Sequence, residues 1–315
     1  MQYLAIDTGH GYVKGLADSG EHVLLPSWIA SANQTADMGS VLRTAHPVTV
    51  AWNDDPLQPY WLGDDAARMA TSLLMRDKGQ SRLTRDLTLL AVQRLKPQTH
   101  QPITLAVGLP LAWYREGRRA LAQALTGQGI VNSDPLIIEQ VQVFPQGVAA
   151  VLSVLRPDAP RGLYGLIDVG YGTVDYLMVE LTPSGQPRLA PEPSGTWELG
   201  IHQVNLALMR HVATTWQVDY APHELDHRSQ ITVRGRIVDL TSVRTSLISQ
   251  WRESIVEHVQ AVWSTVLPRL QGLVVIGGAA PMFVDMAMGT MPVTVPDDAQ
   301  WANVQGYLRA VHLGD

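Results

Sequence analysis

Short apolar runs separated by polar, glycine-bearing breaks make up most of the chain, and the period of that pattern changes several times. YLAI at residues 3–6 is an apolar run that stops at Asp7. Two glycines follow, then the alternating YVKGLA, the polar DSGE at 18–21 and the apolar HVLLPSWIA. Runs of this length around polar turns predict a β-hairpin with a third strand after it. Residues 31–64 are polar and irregular, with VTVAW and PYWLG reading as edge strands. From Asp65 to Leu95 the spacing becomes helical, in two segments broken near Asp77-Lys78-Gly79, and LTRDLTLLAVQRL is amphipathic. ITLAVGLPL (103–111) predicts a buried strand, WYREGRRALAQAL a helix and PLIIEQVQVF a strand. PQGVAAVLSVL (145–155) predicts a helix with Pro145 at its first position, where a missing N–H costs nothing.

RPDAPRG (156–162), rich in proline and charge, reads as a boundary. Beyond it the pattern restarts: strand LYGLIDV, a glycine turn, strand TVDYLMVEL, a PSGQ turn and strand PRLAP. A helix over 201–216, the polar stretch ITVRGRIVDL and a long helix over 241–268 come next. LQGLVVIGGAAPMF reads as a buried strand entering a Gly-Gly-Ala turn, and a short helix over 301–312 closes the pattern.

The restart carries a repeat. AIDTGHGYVKGL (5–16) and LIDVGYGTVDYL (166–177) align without gaps as Ile-Asp-x-Gly-x-Gly-x-Val-x-x-Leu. A repeat of this length is no solenoid period; two copies imply two half-chains of similar build. A dinucleotide-binding loop is excluded twice, because the turn leads into a strand and Lys14 stands where that motif has its last glycine.

Composition narrows the classes. With 46% hydrophobic and 17% charged residues the chain is globular. A net charge of −6 argues against direct nucleic-acid binding. The absence of cysteine removes disulfides and thiolate chemistry and fits a reducing compartment. Neither a secretory signal nor an apolar run of membrane-spanning length stands out, so the chain is expected in the cytoplasm.

Tight turns with two glycines expose backbone N–H groups in a concave cluster suited to anions. An Asp at the end of the preceding strand is then held beside the anion, and two carboxylates beside polyphosphate imply a cation such as Mg²⁺. Asp7 and Asp168 are that pair. Arginine is the default cation here, lysine occurring only at 14, 78 and 96. A lysine inside the first hairpin therefore suggests a compact charge on a phosphate, against the plainer reading of a solvated strand residue. His223 and His227 have metal-ligand spacing on a helix but no third partner, and Arg115, Arg118 and Arg119 read as a solvated helix face.

These motifs resemble the nucleotide-binding fold shared by actin, the Hsp70 chaperones and the sugar kinases. The first phosphate motif is similar to Asp7-Thr8-Gly9-His10-Gly11-Tyr12-Val13-Lys14 and the second to Asp168-Val169-Gly170-Tyr171-Gly172-Thr173-Val174-Asp175. The adenosine motif resembles VVIGGAAPM, with Gly277, Gly278 and Ala279 at its turn. Gln146 in PQGVAAVL stands at the position that orients the attacking water, and WELGIHQVN, with Gly200, resembles the entry to the second lobe's insertion. In order and spacing the five motifs match that superfamily, and within it the overall length, VGLPL at 107–111, PQG at 145–147 and ANVQGYLRAV at 302–311 most resemble prokaryotic actin-like proteins of the ParM and StbA type and their archaeal relatives. Ala279 departs from the glycine common at that turn.

The resemblance implies an α/β, two-lobed actin-like fold, of duplicated ribonuclease-H-like build, with a nucleotide cleft between lobes. It divides the chain into a first lobe over 1–162 with a subdomain inserted at about 31–100, a second lobe over 163–300 with an insertion at about 201–268, and a helix over 301–315 returning to the first. It implies Mg-ATP as ligand, with Asp7 and Asp168 orienting Mg²⁺ through water, and Gln146, Asp168 and Asp7 as the catalytic set. Thr8 to Tyr12, Lys14, Gly170 to Thr173, Gly200 and Gly277 to Ala279 would bind the nucleotide. The implied activity is ATP hydrolysis coupled to a homopolymeric filament, serving plasmid segregation or another cytoskeletal role through a DNA-binding adaptor. A small-molecule kinase and a non-polymerising scaffold are the alternatives on the same fold.

Overall fold

A computed structural model describes residues 2–32, 46–63, 66, 81–98, 101–156, 158–286 and 291–313. The first of the two expected helical segments after Asp65 lies outside them, as does Lys78. By its contacts the chain separates into two compact units. The first comprises Met1–Arg161, Leu181–Leu189 and Gln300–Asp315; the second comprises Gly162–Glu180 and Ala190–Ala299.

In the first unit, β1 (Gln2–Thr8), β2 (Tyr12–Ala17) and β3 (His22–Pro26) form an antiparallel meander. β4 (Ile29–Ser31), β5 (Val48–Trp52) and β6 (Gln58–Leu62) follow, then helix α1 (Arg82–Arg94), capped by the Ser81 hydroxyl. β7 (Ile103–Leu109) lies parallel to β1, α2 (Leu111–Leu125) follows it, and β8 (Gly127–Val131) turns into β9 (Asp134–Pro145). The sheet order is β3-β2-β1-β7-β9-β8-β5-β6-β4.

Two expectations fail here. VTVAW and PYWLG are interior strands, not edges: β5 pairs with both β8 and β6, and β4 takes the rim. Val48, Val50 and Trp52 bury one face of β5, the alternation of a strand packed on a core. Pro145 starts no helix. It ends β9 opposite Leu109, Gly147 turns in the left-handed region at φ 84°, and only Val151–Val154 (α3) is helical. A proline is tolerated there because the ladder stops at that residue.

β1 has no polar face because both sides are covered. Leu4 and Ile6 belong to the core that includes Leu87 and Leu90 of α1, while Ala5 packs with Ala106, Val304 and Tyr307 on the other side. The terminal helix, Ala302–Leu313, supplies that second layer. Gly108 lets it approach, since a Cβ there would overlap the Tyr307 ring.

In the second unit, β10 (Gly162–Val169) and β11 (Val174–Leu181) form the repeated hairpin. Beyond β12 (Pro187–Leu189), which belongs to the first unit, come β13 (Gly195–Trp197) on β11 and helix α4 (His202–Trp216). ITVRGRIVDL is a hairpin of β14 (Gln230–Val233) and β15 (Arg236–Asp239), turned by Arg234 and Gly235 at φ 48° and 79°. Helix α5 spans Thr241–Trp263 and stops short of the expected residue 268. Pro268 sits in the next short 3₁₀ turn, and its ring would clash with a helical carbonyl four residues back. β16 (Gly272–Ile276) lies parallel to β10 and to β17 (Val293–Thr294). Trp251, Ile255, Val259 and Trp263 of α5 bury one helix face against Ile167, Val169 and Val275 of the sheet.

Candidate functional site

Both copies of the repeat fold into the same turn. Gly9 N–H donates to Tyr12 O at 3.1 Å, and its counterpart Gly170 N–H donates to Thr173 O at 2.9 Å. A Cβ on Gly9 would lie 2.6 Å from Tyr12 O, too close for a side chain, and one on Gly170 would lie 3.1 Å from Thr173 O, a tight contact.

Neighbouring segments pull the carbonyls of each turn to one side. In the first unit, the Ser27 hydroxyl donates to Gly9 O (2.7 Å) and Ser27 N–H to Gly11 O (2.9 Å). In the second, Ile201, His202 and Gly200 donate their N–H groups to Gly170 O, Tyr171 O and Gly172 O at 3.1, 2.9 and 3.2 Å. In a planar trans peptide the N–H points opposite to the C=O. The amides of His10 and Tyr12, and those of Tyr171, Gly172 and Thr173, therefore face away from the latching segment. Such a concave set of amides suits an anion.

Each turn carries a buried carboxylate at its entrance. Asp7 is 3% exposed; Lys14 Nζ lies 3.0 Å from its Oδ2, and Gln146 Nε2 donates to its Oδ1 at 2.9 Å. Thus Asp7, Lys14 and Gln146, far apart in sequence, meet in the first unit, and Gln146 is itself fixed by its N–H on Leu109 O. Asp168, 7% exposed, lies next to the end of β10, where Gly277 at φ 96° approaches so closely that a Cβ would overlap Asp168 Oδ1. Ala279 N–H donates to Val169 O at 3.1 Å, bringing the Gly277-Gly278-Ala279 turn beside the hairpin. Gly200 is held against Tyr171 and Gly172 with no room for a Cβ. Asp175, also buried, accepts from the Thr196 hydroxyl. His223 and His227 are not a metal pair: His223 lies in a short 3₁₀ turn, and His227 is exposed at φ 56°.

Sequence reasoning missed Ser27, Thr196 and Asn303, whose Oδ1 accepts Gly147 N–H at 2.9 Å. None has a motif of its own. Only the SWIA segment directly after a strand-ending proline hinted that Ser27 occupies a bend.

The residues fit Mg²⁺ and a polyphosphate. Among the described residues no group of three His, Asp or Glu side chains could cage a metal. In each unit a single carboxylate beside an amide cluster suits a cation held mainly through waters and phosphate oxygens.

Residues 5–148 match the family of actin-like proteins, N-terminal domain, and residues 166–287 match that of the archaeal actin homologue MreB-like, C-terminal. This chain belongs to the prokaryotic actin-like proteins. An archaeal actin homolog of Thermoplasma acidophilum is 24% identical to this actin-like protein over 333 residues, covering 98% of each chain. A 15-stranded ParM filament from Clostridium botulinum superimposes with a TM-score of 0.80 at 20% identity, over 99% of both chains. An archaeal actin homolog in complex with ADP gives 0.80 at 20% identity, covering 99% of this chain and 100% of its own. The fold is thus the mixed α/β actin-like fold expected from the five motifs. No described helix of this actin-like protein is long and apolar enough to cross a membrane.

Proposed function

We propose that this actin-like protein binds Mg-ATP, hydrolyses it and assembles into filaments of its own kind, which serve plasmid or other DNA segregation through an adaptor protein. The observation that carries the reading is the repeated turn: in both units a buried Asp stands beside amides whose carbonyls are held back. Bound Mg²⁺ would neutralise charge on the phosphates, the main electrostatic demand of phosphoryl transfer.

The protein's own groups supply position. The amides at 10 and 12 in one turn and at 171–173 in the other would take phosphate oxygens, and the Thr173 hydroxyl would add a further donor. Lys14, paired with Asp7, would supply a compact cation for a phosphate. Asp7 and Asp168 would hold Mg²⁺ through its waters. Gln146 donates one side-chain N–H to Asp7, which leaves Oε1 as the atom that would orient the attacking water by accepting a hydrogen bond from it. Gly277, Gly278 and Ala279 offer backbone surface for the base. The ADP complex of the archaeal homolog and the ParM filament support nucleotide and self-assembly as the ligands to test first.

A kinase would need a carboxylate open to a substrate hydroxyl; Asp175 is buried on Thr196, and no observation favours that reading. The test is right-angle light scattering of the purified protein on addition of Mg-ATP, with Mg-ADP as control. A triphosphate-specific rise after a concentration-dependent lag is expected. A flat trace over a wide protein range defeats the filament, and absence of nucleotide binding by calorimetry defeats the whole reading.

A further inference from the structure

The residue between the two glycines is aromatic in both turns, and in both it leans on an aromatic side chain from the first turn of a helix. His10 packs edge-on against Trp113, the third residue of α2, with ring centroids 6.2 Å apart and planes at 66°. Tyr171 packs against His202, the first residue of α4, at 5.2 Å and 42°, with its hydroxyl 3.2 Å from His202 Nδ1. The repeat itself does not demand this, since the two residues differ and so do their partners.

We infer that His10–Trp113 and Tyr171–His202 are positioning pairs that hold the peptide planes of the two phosphate turns, so that the lifetime of a bound nucleoside polyphosphate depends on them. The physical need is plain. Flanking glycines have no side chain to anchor and the largest backbone freedom of any residue, so a Gly-x-Gly turn orders itself at a high entropic cost. The carbonyl latches fix one side of each turn; the ring between the glycines is its single large side chain and fixes the other. A helix start is a rigid support for it. In the second unit the support is doubled, because His202 also donates its N–H to Tyr171 O, so one residue holds both the backbone and the ring of the turn tip. In the first unit the latch is Ser27, on a different segment from Trp113.

This rests on the nucleotide reading above, and the experiment separates the two. Release of a fluorescent ADP analogue is followed by stopped flow for the wild type, His202→Ala, Trp113→Ala and the ring-preserving His202→Phe and Trp113→Phe, with Tyr171→Phe removing only the hydroxyl. Loss of one aromatic contact and one hydrogen bond should speed release about tenfold in His202→Ala. Loss of the ring contact alone in Trp113→Ala should speed it severalfold. The phenylalanine variants should recover most of the wild-type rate. Amide hydrogen exchange without nucleotide should quicken at 171–173 in His202→Ala and at 10–12 in Trp113→Ala, and nowhere else. Wild-type release and wild-type exchange in both alanine variants overturn the pairs as positioning elements. Global loss of protection in both alanine variants, unrescued by phenylalanine, also overturns it, because the rings would then be ordinary packing. A wild type that binds no analogue overturns the nucleotide reading instead, and the exchange pattern alone then decides whether the rings hold the turns.

Discussion

At the scale of single residues, the site depends on contacts that leave no room or no alternative partner. Gly277 combines φ 96° with the carboxylate of Asp168 where its Cβ would be. Gly277→Ala must strain the backbone and push Asp168 aside, so it should lose about 2 kcal/mol or more of stability in urea unfolding. Asp168→Ala, by contrast, should keep the circular dichroism spectrum and lose phosphate release, since it removes charge without demanding space. Lys14 poses the opposite problem. It and Asp7 are a nearly buried pair, with 12% and 4% of their side chains exposed, and Lys14→Ala strands the carboxylate with Gln146 as its remaining side-chain donor. A loss of about 3 kcal/mol is expected, and Asp7→Asn in the same background should recover part of it in a double-mutant cycle. His202 links stability to pH. Burial pushes its imidazole below the ordinary 6.5, only partly opposed by the negative charge of Asp226, while the Tyr171 hydroxyl faces Nδ1. The unfolded chain then binds the proton more readily, so His202 leaves stability intact above about pH 6.5 and lowers it as pH falls below, until the folded imidazole titrates too. The fall in urea midpoint between about pH 7.5 and about pH 5.5 should be smaller in His202→Gln than in the wild type.

At the scale of elements, legibility followed how local the cause was. The glycine hairpins, α2 and α4 could be read because periodicity and turn residues are written side by side. β5 was legible as a strand but not as an interior one: its two neighbours, β6 and β8, come from opposite directions along the chain. The helix expected from Pro145 failed because a parallel pairing with β7 outweighed a local start signal. The hairpin in ITVRGRIVDL had its signal, Arg-Gly between two β-branched runs, and went unread because its charged residues masked the alternation. At the site, Asp7, Asp168 and the glycines were legible as a repeat, whereas Ser27 and the aromatic partners Trp113 and His202 were not, since only the fold brings them to the turns. One element-scale consequence can be checked directly. Gly108 lies against Tyr307, so Gly108→Val should unseat the terminal helix and cost several kcal/mol, with hydrogen exchange rising first in 302–313.

At the scale of the whole molecule, the chain reads as an old sentence repeated and then edited. The two units share a hairpin, a parallel neighbouring strand on the entering side and a carboxylate at one place, yet they latch their turns with unrelated segments. That divergence leaves the turns free to be tuned separately, so the Ser27→Ala and His202→Ala effects on nucleotide release should add on a free-energy scale.

The two-sided burial of β1 also has a consequence in time. Ala5 and Ala106 are covered by a helix that the ribosome delivers after every other element described here. The second unit, by contrast, has all its strands and helices before Gln300. During synthesis the second unit can close while the first still shows a bare sheet face, and domains commonly fold as they emerge. An unfinished chain would therefore expose the apolar surface over Ala5 and Ala106, a state chaperones and proteases can recognise.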